Sequence, residues 1–270
     1  MRHKGPFQRS NILMNVRPIL MLTILSAGTL PSCFADTRAD EWITNARSAV
    51  GTESDLTALN SVRFIGTVEA AQKMPSKNDP VKLEEAHDIF GIDVIFQKPD
   101  QFRMVIRSQN ATETIALYGY DGWSRRVENG AEDRANLVVL ETAQIKLLRA
   151  NIWANLFFYR GIEARGGRVD FQGETDVSGK TCVVLVFRHT SNISFTRYFD
   201  KSTKRLVKTV TGDGTEIRED GEIKAGGIRF PKRFTTISPD GQIKNVNFQR
   251  IEVNQPLPAA EFAMPNAIML

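Results

Sequence analysis

Two stretches of this chain alternate in a way that only extended strands accommodate. Phe90, Ile92, Val94 and Phe96 interleave with Ile89, Gly91, Asp93 and Ile95, and Phe102, Met104 and Ile106 interleave with Arg103, Val105 and Arg107. Successive side chains of a strand point to opposite faces, so each stretch carries one fatty face. Similar runs predict strands over 62–71, 84–97, 102–109, 113–120, 123–128, 168–174, 181–189, 195–200, 206–211, 215–224, 228–238 and 242–254. Asp-Gly or Asn-Gly steps at 121, 129, 213, 220 and 240 favour the positive-φ geometry of tight hairpins and so an antiparallel meander. About a dozen strands exceed what one open twisted sheet holds before it curls. The expected fold class is α+β, mainly β, with a strongly curved antiparallel sheet.

Two segments break this pattern. Asp40 can cap a helix over 40–50, with Trp42, Ile43, Ala46, Ala49 and Val50 on one face and Gly51 as its stop. A second helical run is expected over 134–158, where Leu137, Leu140, Ile145, Leu148, Ile152, Leu156 and Phe157 recur at helical spacing. Asn151 is a candidate break within it. No linker, fixed-period repeat or low-complexity tract divides the rest, so 36–270 reads as a single domain.

Residues 1–35 have a different character. Arg2, Lys4, Arg9 and Arg17 precede an apolar run over 19–30, and Cys33-Phe34-Ala35 ends in a small residue suited to cleavage before Asp36. This is the pattern of a secretory signal peptide, with either Met1 or Met14 as its start. The apolar run is shorter than the roughly 20 residues that span a bilayer. Leu30-Pro31-Ser32-Cys33 also resembles a lipobox, which makes Cys33 a candidate lipidation site. Export is expected, to the periplasm or to a membrane-anchored lipoprotein.

The same segment accounts for the basic charge. The formal charge is +4, and from Asp36 onward 31 basic residues face 31 acidic ones. A duplex-binding groove needs a basic surplus, so no nucleic-acid partner is expected. Cys182 lies among Val183, Val184, Leu185 and Val186 as a small buried strand residue, without an expected disulfide.

Catalytic chemistry finds no constellation. His87 and His189 both fall in predicted strands without neighbouring ligands, and neither a nucleophile elbow nor a phosphate-binding loop occurs. Glu84-Glu85, Glu132-Asp133 and Glu219-Asp220 are adjacent pairs, which cannot face each other across a glycosidase cleft. No catalytic residue, metal site or cofactor is expected, and the chain reads as a non-enzyme.

Several short signatures occur in one order: Lys98-Pro99-Asp100-Gln101-Phe102-Arg103, Gly119-Tyr120-Asp121-Gly122-Trp123, Asp200-Lys201-Ser202-Thr203-Lys204-Arg205-Leu206, Gly227-Ile228-Arg229-Phe230-Pro231 and Glu261-Phe262-Ala263-Met264-Pro265. Together they resemble the LolA/LolB lipoprotein-carrier superfamily over nearly the whole exported part. The resemblance implies a half-open β-barrel whose concave apolar face is covered by helices and takes up lipid acyl chains or lipoproteins. In the carriers an arginine before the strand-turn proline bonds to the lid. Lys98 holds that place here, and a flexible point charge makes a weaker or differently arranged latch than a planar fork.

Candidate lining residues are then Phe64, Phe90, Ile92, Phe96, Phe102, Met104, Ile106, Leu117 and Trp123, with Trp153, Phe157 and Phe158 from the lid. The competing expectation is that they pack a solid core and that the chain is an envelope interaction module, anchored through Cys33 and meeting a membrane or protein partner. Oligomeric state is open.

Overall fold

The alternating runs do become strands. A computed structural model describes residues 37–73, 89–131 and 135–265, with the side chains of 70–73 left aside. The expected signal segment, with Cys33, and Glu84, Glu85, His87, Glu132 and Asp133 lie outside the described residues. Two helices, α1 (Thr37–Val50) and α2 (Glu53–Ala58), lead into β1 (Ser61–Lys73), β2 (Ile89–Gln97), β3 (Gln101–Arg107), β4 (Ala111–Tyr118), β5 (Asp121–Glu128) and β6 (Asn136–Val139). Helix α3 (Thr142–Leu156) follows. The strands then resume as β7 (Arg168–Val177), β8 (Lys180–Thr190), β9 (Ile193–Asp200), β10 (Leu206–Thr211), β11 (Glu216–Asp220), β12 (Ile223–Ala225), β13 (Ile228–Phe230), β14 (Arg233–Ile237) and β15 (Gln242–Val253).

Thirteen strands form one sheet in the order β6-β5-β4-β3-β2-β1-β15-β14-β11-β10-β9-β8-β7, while β12 and β13 pair separately. Every pairing is antiparallel, and β6 and β7 end the sheet without meeting. The fold is therefore a mainly β, strongly curved half-barrel with helices. Opposite Ile65 and Gly66 of β1 the partner strand β15 carries a bulge at Gln249, and a Cβ at Gly66 would fall 2.0 Å from the Asn247 carbonyl oxygen. Only glycine allows the two backbones to approach so closely there.

Two stretches depart from the expected elements. The run over 134–158 does not begin as helix: Asn136–Val139 pairs with β5, because its Leu-Val-Val core suits the free edge of that strand. Helix α3 starts only after Glu141, where a capping box with Gln144 closes the first turn, and it continues unbroken through Asn151. The strands expected over 215–224 and 228–238 each divide. Gly221, at φ 67°, ends β11, and the chain leaves the main sheet for the β12–β13 hairpin before returning as β14.

Both faces of the sheet bury apolar side chains. On the concave face α3 lies against β2 and β3, and α1 lies against β7 and β13. On the convex face Ile95, Val105, Ala116 and Trp123 are buried, and the final segment folds back toward them. There the Trp123 Nε1–H donates to the Phe262 carbonyl at 3.1 Å, and Arg103 pairs with Glu261 at 2.8 Å. No helix among the described residues is long and apolar enough to cross a membrane.

Candidate functional site

The structure places the expected lining residues in four settings. Phe64, Ile92, Phe96 and Phe158 stand on the wall of a partly enclosed cavity of about 580 Å3. Phe102, Leu117 and Trp153 are buried away from it, in the packed region where α3 meets the sheet, with Met104, Ile106 and Phe157 partly buried against them. Phe90 is half-buried opposite Val68. Trp123 is on the other side of the sheet. Its partner is Ala116, whereas Leu117 pairs with Gly122, so Leu117 and Trp123 face opposite ways.

The trough is thus filled at one end and hollow at the other. Under β3 and β4 the side chains of α3 occupy the space. Toward β9, β10, β11, β14 and β15 the cavity opens, roofed by Ala49 and Val50 of α1 and by Asn151, Ala154 and Asn155 of α3. Its apolar floor is an aromatic cluster in which Phe64 lies 5.6 Å from Phe230 and 5.0 Å from Phe248, ring centre to ring centre, and Phe234 lies 5.5 Å from Phe248. A cavity of this size falls within the roughly 300–1,000 Å3 range of small-ligand sites. Exposed Lys180, Arg205 and Arg229 border its solvent side, with Arg205 and Arg229 both paired to Glu222.

Several groups tie the cover to the sheet. Asp100, in the turn between β2 and β3, accepts Arg149 of α3 at 2.8 Å and Arg165 at 3.1 Å. Lys98 reaches the end of α3 without a hydrogen bond to it: its Nζ lies 4.8 Å from the centre of the Phe157 ring, and burial followed by repulsion from Arg47 lowers its pKa. The hydrogen bonds at this end come from Arg47 of α1. Its Nη1 donates to the Phe157 and Phe158 carbonyls at 2.7 and 2.8 Å, while Nε and Nη2 grip Glu53 at 3.0 and 2.5 Å. Glu53 also takes Arg160 at 3.0 Å, and the Arg47 hydrogen bond leads in lowering its pKa. Phe158 and Tyr159 sit at φ 44° and 74°, a region non-glycine residues occupy at a cost, and both side chains reach the cavity wall.

Among the polar residues on that wall, Arg197 and Glu219 are set apart by their surroundings. Phe195, Arg197 and Phe199 share one parity in β9 and all are buried. Arg197 lies with its Cζ 4.7, 4.9 and 5.8 Å from the ring centres of Phe187, Tyr159 and Phe195. Its Nε and Nη1 are buried without a hydrogen-bond partner. Glu219 of β11 shares the wall, and burial raises its pKa to about 7 against the pull of Arg197. The sequence carries a signal for Arg197, since Phe-x-Arg-x-Phe in a strand points one charge inward; Glu219 and the Phe230 hairpin leave none that separates them from surface positions. No group of three metal-ligating side chains gathers among the described residues.

No family model matches the chain, and no curated protein matches it in sequence. Solved structures do match in fold. A LolA superfamily protein from Nitrosomonas europaea superposes with a TM-score of 0.53 at 12% identity, covering 84% of this chain and 97% of that one. A DUF1329 family protein from Desulfovibrio piger gives 0.51 at 13% identity, covering 83% and 97%. The chain therefore has the LolA-like fold. At these identities the likeness is one of fold.

Proposed function

We propose that this chain is an exported, non-enzymatic carrier in the bacterial cell envelope that shelters an acyl chain of a lipid or lipoprotein. The observation that carries the reading is the aromatic-floored cavity between the curved sheet and the covering helices. A sheet whose concave face were filled throughout would have nothing to carry. Residues 1–35 supply the export signal, and Cys33 is either removed with it or lipidated.

Burial drives the binding. Each methylene transferred from water is worth about 0.8 kcal/mol, so a chain of about 15 gains roughly 12 kcal/mol gross, before the cost of ordering it. Cargo is delivered by exchange between surfaces, for which the cover formed by α1 and α3 has to move.

Native lipid extraction and mass spectrometry of the purified exported chain is expected to return an acylated species. Ala154 of α3 lines the cavity beside Asn155 and Phe158, and Ala154→Trp places an indole in the hollow. That variant is expected to bind a fluorescent fatty acid at least about tenfold more weakly, with little loss of stability because the space is already empty. Unchanged affinity in a folded Ala154→Trp variant would remove the cavity from the explanation.

A further inference from the structure

A carrier for purely apolar tails has no use for a cation inside its hollow, yet this cavity has one. Arg197 is 5% exposed, and its Nε and Nη1 are closed off from solvent without a hydrogen-bond partner. The three surrounding rings hold the guanidinium plane, and a ring face accepts part of a cation's charge without using its N–H donors. The other buried arginine and aspartates described on this sheet and its cover all have partners: Arg47 pairs with Glu53, Asp93 with Arg63 and Asp100 with Arg149 and Arg165, while Asp200 accepts hydrogen bonds from Ser202 and the Thr203 backbone. A buried guanidinium left with unused donors is costly, and an incoming anion removes the cost.

We propose that Arg197 anchors the head group of the cavity's ligand, and that this ligand is a single-chain amphiphile with one carboxylate, of the fatty-acid type. The inference rests on the acyl-chain reading above and narrows it. The head sits against Arg197 under β9, and the tail runs over Phe64, Phe234 and Phe248 toward the β12–β13 hairpin. One carboxylate matches the one buried cation of the hollow, whereas the second charge of a phosphate monoester would be left there without a partner.

The test measures binding of hexadecanoate, hexadecan-1-ol and a hexadecyl phosphate monoester to the delipidated exported chain at one pH. The acid is expected to bind about 30-fold more tightly than the alcohol, and more tightly than the phosphate, as a charge-assisted hydrogen bond in a closed site provides. Arg197→Met is expected to bring acid and alcohol within about threefold of each other while alcohol binding persists, and Arg197→Lys to fall between. Equal affinity of the wild type for acid and alcohol overturns the head-group proposal and leaves the acyl-chain reading standing. A preference that survives Arg197→Met, or one for the phosphate, also overturns it. Failure of all three probes sinks the acyl-chain reading itself. The wild-type comparison alone decides the matter if a variant does not fold.

Discussion

Arg47→Met is expected to destabilise the protein by about 2–4 kcal/mol, from the hydrogen bonds of a buried guanidinium and the two carbonyls left without it, since the Glu53 carboxylate is exposed enough to be hydrated. The substitution strips four hydrogen bonds at once: two to the carboxylate of Glu53 and two to the carbonyls of Phe157 and Phe158. Those carbonyls belong to the end of α3, where the last turn has no intrahelical donors to offer. The next residues are held at positive φ without the relief a glycine would give. Loss of Arg47 should therefore release the 157–160 link before it loosens the sheet. Urea denaturation measures the stability, and hydrogen exchange locates the change. Faster exchange is expected from Trp153 to Arg160, with β8 and β9 keeping their protection. Arg47→Lys should recover less than half of the loss, since a single ammonium cannot hold Glu53 in a two-pronged grip and reach both carbonyls. A loss below about 1 kcal/mol, with unchanged exchange over 153–160, would refute the latch.

The resemblance assigned this latch to Lys98, and the two residues show what a motif transmits. The position before the strand-turn proline does lie at the end of α3, against Phe157, so the place is legible. The hydrogen bonds come instead from an arginine in α1, fifty-one residues earlier by sequence numbering, whose helical face reads only as apolar. Contacts of that separation leave no local signature.

Strand content and the curled antiparallel sheet were legible because a period of two survives in the residues whatever the strand packs against. The face of Trp123 was not. Apolar character alone puts it with the lining, but the sheet buries both of its faces, and the outer one is covered by a segment more than a hundred residues later. The β6 strand was hidden for another reason: Leu137 and Leu140 fit a helical spacing, and only the free edge of β5 makes Asn136–Val139 extended. Within the cavity the aromatic residues from β1 and β2 were within reach of pattern reading, while Phe230, Phe234 and Phe248 arrive from strands whose neighbours are fixed by topology.

Glu219 gives the second large effect, and its sign follows from burial. Its pKa is raised from 4.5 to about 7, burial outweighing the attraction of Arg197, so the folded protein holds this proton more tightly than the unfolded chain does. The contribution to stability is intact below about pH 4.5 and is lost as pH rises through 7. At 1.36 kcal/mol per unit of pKa, the penalty above neutrality is roughly 3 kcal/mol. His189 works in the other direction. Burial lowers its pKa from 6.5 to about 4, so its neutral form favours folding above pH 6.5 and that gain is lost as pH falls toward 4. The wild-type profile alone mixes the two groups, and comparison with Glu219→Gln separates them, because the His189 contribution is common to both proteins. The stability of Glu219→Gln relative to wild type is expected to grow by roughly 3 kcal/mol between about pH 4.5 and pH 8, read from denaturant midpoints across that range. A difference that stays flat with pH would mean that Glu219 is ionised in the folded protein throughout. In that case Arg197 would already have its counter-charge, and a carboxylate guest would be bringing a second anion to a neutralised site.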